Sequence, residues 1–130
     1  ITPKMVKDHL VKLDKYKSAG ADEVHPWVLK EIALSACIPL AIIFNKSLSY
    51  GELPHQWKSA NITPLFKKGS RLEAANYRPI SLTSVPCKII EKIVRDSLFD
   101  HLASNKLLNS SSRLLILSLL TLHLRNILWI

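Results

Sequence analysis

The stretch Trp57–Ser84, W-K-S-A-N-I-T-P-L-F-K-K-G-S-R-L-E-A-A-N-Y-R-P-I-S-L-T-S, contains two extended segments on either side of a polar turn. Ala60–Phe66 and Asn76–Thr83 are rich in β-branched and aromatic residues, which predicts two strands. The run Lys67–Ser70 supplies the glycine and serine of a turn between them. One proline in each strand lacks an N–H donor, so both strands are expected at a sheet edge. The sequence therefore predicts a β-hairpin with a basic turn.

The positive charge of the chain is concentrated around this hairpin. The 130 residues carry a formal net charge of +8, and the 48% hydrophobic fraction is that of a folded single domain. Between residues 55 and 88, one acid stands against six basic residues: Lys58, Lys67, Lys68, Arg71, Arg78 and Lys88. This clustering favours an anionic partner, with nucleic acid as the first candidate. Charge that serves only solubility is the alternative reading.

The N-terminal segment predicts a helix followed by a loop. Thr2 and Pro3 are typical of a helix start, and the helix is expected to end near Tyr16. The run K-S-A-G-A-D-E, residues 17–23, then predicts a loop with Gly20 as its flexible point. Lys17 could bind phosphate there, but a solvated loop lysine is the preferred interpretation.

Two further helices are predicted before the hairpin. Pro26 marks the start of the first, and Pro39 is expected to break it around Cys37, because proline cannot continue the hydrogen-bond ladder. The second is expected to run from Pro39 to Ser49, with Gly51 as its C-terminal cap.

The strongest helix signal follows the hairpin. Ser84 and Pro86 predict its start, and a broad apolar stripe follows at helical spacing: Ile89, Ile90, Ile93, Val94, Leu98 and Leu102. The stripe is expected to pack on the preceding helices and on the inner face of the hairpin. Three aromatic residues are interpreted as core anchors: Trp27, Trp57 and Phe66.

Residues 113–130 differ in character from the rest of the chain. They are rich in leucine and contain no acid, and they show no clear periodicity. The apolar run is shorter than the ~20 residues that a membrane helix needs. A buried or aggregation-prone tail is therefore preferred, and membrane contact through residues 113–130 is not expected. A small helical adaptor or membrane-surface protein that uses this tail stays open as an alternative.

The residue types needed for metal binding and catalysis are scattered. The two cysteines and five histidines show no zinc-ligand spacing, so no structural metal is expected. Polymerase chemistry needs clustered carboxylates that hold two divalent metals. The ten acids lie on predicted helices and loops without an Asp pair on a strand. No phosphate-binding glycine loop or nucleophile elbow is present. Catalysis by this chain alone is not expected.

Three ordered motifs resemble the reverse transcriptases of non-LTR (LINE-type) retrotransposons. They are K-S-A-G-A-D-E-V-H-P-W-V-L-K-E, W-K-S-A-N-I-T-P-L-F-K-K-G-S and N-Y-R-P-I-S-L-T-S-V-P-C-K-I-I-E-K-I, and the resemblance covers roughly residues 4–111. It implies the N-terminal fingers of a right-hand polymerase, which close over the incoming nucleotide. The contact with the nucleotide phosphates would fall on Arg78, with Lys67 and Lys68 as helpers. Lys58, Arg71 and Lys88 would contact nucleic acid.

The chain also departs from the family pattern. Where the family usually has K-S-P-G-P-D-G-I, this chain has Ala19, Ala21 and Glu23. After Asn109 and Ser110 the family continues into the palm with its metal-binding Asp pair, whereas this chain continues into the Leu-rich tail. The sequence therefore predicts a truncated, catalytically inactive fragment, with an active enzyme whose palm is absent from this chain as the alternative.

The sequence as a whole predicts an α+β, mostly helical fold. It consists of an incomplete fingers subdomain over residues 1–112, with one antiparallel hairpin and a long amphipathic helix, and a non-family tail over residues 113–130. No cofactor is expected in this chain, since Mg²⁺ belongs to the complete family enzyme. The expected partner is an RNA template or primer DNA, bound weakly. The expected location is the nucleus or cytoplasm, without secretion.

Overall fold

The computed structural model describes residues 1–106, so the Leu-rich segment 113–130 and every prediction made for it lie outside the described residues. Four α-helices and one two-stranded antiparallel sheet make up this part of the chain: α1 (Pro3–Val11), α2 (Pro26–Glu31), α3 (Ala33–Tyr50), β1 (Ala60–Phe66), β2 (Tyr77–Thr83) and α4 (Val85–Ser104). Short 3-10 turns lie at His55–Lys58 and Ala74–Asn76. The prediction of a mostly helical α+β fold is confirmed.

The helix starts follow the local signals in the sequence. The side chain of Thr2 accepts a hydrogen bond from the Met5 amide at 3.3 Å, and that of Ser84 accepts one from the Cys87 amide at 3.2 Å. Each cap satisfies an amide that has no partner inside its helix. At the other end of α3, Gly51 adopts φ +68° and its amide donates to the Ser47 carbonyl, as predicted for its cap.

Helix α1 is shorter than the sequence predicted. It ends at Val11 rather than near Tyr16, with Lys12 as its C-terminal cap. The Asp14 carboxylate accepts a hydrogen bond from the Tyr16 amide at 3.0 Å. Such a local side-chain bond competes with the helical ladder, so the chain turns here instead of continuing the helix.

The predicted break at Cys37 is wrong. The interruption lies at Ile32, between α2 and α3, and α3 continues through Pro39 to Tyr50. Pro39 and Ser35 both lie on the exposed side of α3. The carbonyl that loses its proline partner, that of Ser35, therefore has access to water, which lowers the cost of proline inside the helix.

The hydrophobic core is built from α1, α3 and α4. Its fully buried side chains include Val6, Leu10, Phe44, Ile90 and Ile93. The inner part of the predicted stripe on α4 is thus confirmed, whereas Val94, Leu98 and Leu102 are half-buried.

The three predicted aromatic anchors have different environments. Trp57 is buried and lies edge-on against Phe44, with ring centroids 5.7 Å apart. Phe66 is half-buried, and Trp27 is 53% exposed. The prediction that Trp27 belongs to the core is therefore wrong. Trp27 directly follows the first residue of α2, on the side of this short helix that faces away from the buried Leu29.

The hairpin projects from the helical core. Residues 61–65 and 78–81 are exposed on both faces of the sheet. The expectation that α4 packs on an inner face of the hairpin is therefore not met in the part of the chain that the structure describes. Only the last residues of β2 are buried, where Thr83 leads into the Ser84 cap of α4. The hairpin is held at its base and leaves its cationic end accessible.

Helix α3 also has an open apolar side. Leu34 is 70% exposed and Ile38 is 57% exposed. By length and composition, α3 is the one helix within residues 1–106 that could cross a membrane, and 33% of it is buried inside the protein. A core helix of a soluble protein meets the same criterion, so this finding assigns no membrane role.

Candidate phosphate-binding hairpin

The register of the hairpin explains how it accommodates a proline in each strand. Pro64 lies opposite Pro79, and the Lys67 amide donates to the Asn76 carbonyl at 2.8 Å just beyond the strands. In an antiparallel pair, hydrogen-bonded and non-hydrogen-bonded positions alternate. Counting from that bond places the two prolines at a non-hydrogen-bonded position, where neither would donate to the other strand.

The same alternation fixes the backbone of Arg78. Arg78 lies opposite Leu65, one position from the prolines, and this is a hydrogen-bonded position of the ladder. The backbone that carries the Arg78 side chain is therefore held in place by the ladder.

The loop 67–76 is held by side-chain hydrogen bonds rather than by a tight turn. The Asn76 amide group donates to the Ser70 carbonyl at 2.9 Å and to the Glu73 carboxylate at 3.0 Å. The Tyr77 hydroxyl donates to the Arg71 carbonyl at 2.9 Å. Gly69 adopts φ +93°, a conformation that glycine tolerates without strain. These contacts keep the ends of the loop together, and Lys67 and Lys68 lie exposed at its start, directly after β1.

Three of the predicted site residues share one concavity. Lys67, Lys68 and Arg78 line an open cavity of about 440 Å³ together with Leu65 and Phe66. All three cationic side chains are exposed. The sequence places Lys67 and Lys68 in the turn after β1. The register of the strands then places Arg78 opposite Leu65, next to these lysines.

The cations of this cavity have no acidic partner among residues 1–106. An ion pair joins Arg95 to Asp96 at 2.8 Å, but it lies on α4 and not at the hairpin. The nearest acid in sequence, Glu73, accepts its hydrogen bond from Asn76. Like charges that are grouped without a counter-charge produce a positive potential, which favours an anion in the cavity. The arginine fork and the lysine ammonium groups are both suited to phosphate oxygens.

The other three predicted contact residues lie elsewhere. Arg71 places its guanidinium 5.3 Å from the centre of the Phe66 ring, and it lines a separate, mainly apolar groove beside Tyr77. Lys58 lies exposed in the 3-10 turn before β1, and Lys88 lies on α4. The structure thus separates these residues from the Lys67–Lys68–Arg78 cavity, and their contact with nucleic acid stays a prediction.

Two uncharged residues were missed as parts of the site. Asn76 and Tyr77 shape the loop that presents the lysines, and Tyr77 also packs edge-on against Phe66 at 5.5 Å. Their signal in the sequence is their position directly before Arg78, where the chain returns to the sheet. An amide and a hydroxyl at that point can close a loop by bonding its backbone.

The residues needed for a catalytic metal are not brought together in this structure. Within residues 1–106, no group of three His, Cys, Asp or Glu side chains lies close enough to hold a metal ion. What the hairpin offers is a place for an anion.

Comparison with known proteins finds relatives of one kind. No family model matches the chain. It is 37% identical over 93 residues, 71% of its length, to a probable RNA-directed DNA polymerase from transposon BS of Drosophila melanogaster. It is 33% identical over 99 residues, 75% of its length, to the RNA-directed DNA polymerase from mobile element jockey of the same species. It is 30% identical over 93 residues to a probable RNA-directed DNA polymerase from transposon X-element.

These alignments cover only a small part of each relative. The matched residues correspond to 10% of the transposon BS protein and 11% of the jockey protein. Several relatives of one kind nevertheless agree over about 72% of this chain. Over about 72% of its length, the chain therefore matches a segment of the RNA-directed DNA polymerases of non-LTR mobile elements, and this segment spans about a tenth of such a protein.

Proposed function

We propose that the hairpin binds phosphate groups of a nucleic acid or a nucleotide, as a phosphate-holding part of a reverse transcriptase. The observation that carries the proposal is the cavity in which Lys67, Lys68 and Arg78 meet without an acidic partner among the described residues. The assignment of residues 1–112 to the polymerase fingers stays a prediction within this proposal.

The chemistry of the site is binding and orientation. Arg78 offers a planar fork that can donate two parallel hydrogen bonds to one phosphate, from a backbone position fixed by the ladder. The two lysines act as point charges that adapt to neighbouring oxygens. Because the carboxylates of residues 1–106 do not cluster, the proposal assigns no phosphoryl transfer to this chain alone.

A binding measurement with charge-matched variants tests the proposal. The probe is a fluorescently labelled RNA–DNA primer–template, followed by anisotropy at low salt. The test variant carries Lys67→Ala, Lys68→Ala and Arg78→Ala. The control carries Lys4→Ala, Lys46→Ala and Lys106→Ala, which removes the same charge from exposed positions away from the hairpin.

The test variant is expected to bind at least tenfold more weakly than the control, since three phosphate contacts would be lost. An equal loss in both variants would mean that total charge, and not the hairpin, determines binding. Competition by an unlabelled nucleoside triphosphate then separates the two phosphate sources. Competition that requires the intact hairpin assigns the cavity to the triphosphate, and its absence assigns the cavity to the nucleic-acid backbone.

A further inference from the structure

A second cationic cavity lies away from the hairpin, between the end of α1, the loop that follows it, and the first turns of α4. Its volume is about 240 Å³. Four lysines from three separate segments line it: Lys12, Lys17, Lys88 and Lys92. No local sequence pattern groups these four lysines, because Lys12 and Lys92 are far apart in the chain.

Basic residues outnumber acidic ones among the side chains that line this cavity. Asp14 is the one acid among its lining residues, and its carboxylate already accepts a hydrogen bond from the Tyr16 amide. Lys88 and Lys92 are four residues apart on α4 and therefore neighbours on one face.

His9 reports the same positive potential from the side of α1. It lines the cavity, and its pKa is lowered, first by burial and then by the charge of Lys92. Lys12 lowers this pKa further, whereas Asp8 and Asp96 raise it. The imidazole is thus held toward its neutral form in a site dominated by ammonium groups. An anion that enters the cavity would raise the pKa of His9.

The walls of the cavity are fixed by packing. Pro26, Val85 and Ile89 are buried and form its apolar side. The loop that carries Lys17 is held at Gly20, whose Cα lies so close to the backbone of Thr83 and Ser84 that a Cβ there would overlap it. Apolar walls reduce the screening of charges beside them, so an anion in this cavity would interact more strongly than on an open surface.

We propose that this lysine cavity is a second phosphate-binding site of the chain. It would take a phosphate group of a nucleic-acid strand or of a free nucleotide, and it does not depend on the function proposed for the hairpin. The strand β2 connects the two regions: Arg78 lies five residues before Thr83, about 17 Å at roughly 3.3 Å per residue. One strand of nucleic acid could therefore reach both.

Titration of His9 by NMR provides a direct test on the whole chain. Inorganic phosphate, ATP and a short oligonucleotide without a terminal phosphate are added separately, and the ring signals and pKa of His9 are followed. At least one of these probes is expected to shift the His9 signals and raise its pKa. A response to the oligonucleotide assigns the site to backbone phosphate, and a response to ATP or inorganic phosphate alone assigns it to a free phosphate.

Variants separate this site from the hairpin and from general charge. Lys12→Ala with Lys92→Ala is expected to weaken the His9 response at least tenfold, whereas Lys4→Ala with Lys46→Ala is expected to leave it unchanged. Lys12→Gln with Lys92→Gln keeps most of each side-chain stem, and it repeats the test if the alanine variant is unstable.

The hairpin variant that lacks Lys67, Lys68 and Arg78 is expected to retain the His9 response. Failure of the hairpin proposal would therefore leave this one intact, and the reverse also holds. A His9 signal that no phosphate probe moves, or a response that survives loss of Lys12 and Lys92, would overturn the second site.

Discussion

Gly20→Ala is expected to destabilise the fold, because Gly20 is the point where the loop before α2 meets the start of α4. A Cβ at this position would overlap backbone atoms of Thr83 and Ser84, which cannot move aside as a flexible side chain can. Overpacking of this kind costs about 1–3 kcal/mol, and a backbone contact belongs at the upper end. Alanine also restricts the unfolded chain, which returns about 0.4–1 kcal/mol. The net loss is therefore about 2 kcal/mol.

Gly51→Ala is the matched control for this prediction. Gly51 has φ +68° but nothing within 4 Å of its would-be Cβ, so alanine there meets backbone strain without overlap. Left-handed strain costs about 1–2 kcal/mol before the same unfolded-state gain, which leaves about 1 kcal/mol or less. Urea denaturation followed by circular dichroism at 222 nm measures both variants. A Gly20→Ala variant that is as stable as Gly51→Ala would refute the proposed close packing of the loop on β2 and α4.

Three further substitutions probe strain, core and protonation. Glu23→Gly is expected to raise the thermal unfolding midpoint, because Glu23 adopts φ +57°, where glycine has no backbone strain. Relief of about 1 kcal/mol of this strain corresponds to a rise of roughly 4–8 °C in a small domain. An unchanged midpoint would count against this backbone conformation. Phe44→Ala, measured by urea denaturation, is expected to cost about 3–5 kcal/mol, since Phe44 is fully buried against Trp57, and a loss below about 1 kcal/mol would contradict this packing. The pKa of His9 is lowered in the folded protein, so a proton binds His9 more tightly in the unfolded chain. The contribution of His9 to the free energy of unfolding is therefore complete above the unfolded-state pKa and is lost as the pH falls through the folded-state pKa. His9→Gln should reduce this pH dependence in urea titrations between pH 5 and 8, and an unaltered profile would assign it to other groups.

Local chemistry made much of the fold predictable from the sequence. Thr2, Ser84 and Gly51 cap their helices by short-range bonds that any environment permits. The apolar residues of α4 repeat at the helical period, so its buried face follows from spacing alone. The strand bounds agree within a residue because the two strands are short, β-rich and separated by a clear polar loop.

The errors concern features that depend on the tertiary environment. Pro39 looked like a helix break, but its exposed position lets water satisfy the carbonyl that it leaves without a partner. Trp27 looked like a core residue because tryptophan usually is, whereas here α2 is too short to bury more than one side. The hairpin was expected to pack on α4, yet it projects from the core.

The two candidate sites differ in how far the sequence could identify them. Lys67, Lys68 and Arg78 flank one loop, so antiparallel pairing alone brings them together. The lysine cavity joins Lys12 to Lys92 through the packing of α1 against α4, and no local pattern encodes that contact. The sequence-based interpretation of Lys17 as a solvated loop lysine is accordingly replaced by a proposal of phosphate binding.

The salt dependence of binding shows directly whether the hairpin contacts phosphate groups. Anisotropy titrations on a labelled duplex, between 50 and 200 mM salt, give the slope of log K against log salt. Each neutralised phosphate contributes about −0.9 to this slope, so loss of three contacts should reduce the magnitude of the slope by about 2.7. The loss of affinity between 50 and 200 mM salt would then be roughly 40-fold smaller than in the unaltered protein. We expect this reduction for the variant without Lys67, Lys68 and Arg78, and a smaller reduction for the charge-matched control. Equal slopes in the two variants would contradict phosphate binding by the hairpin.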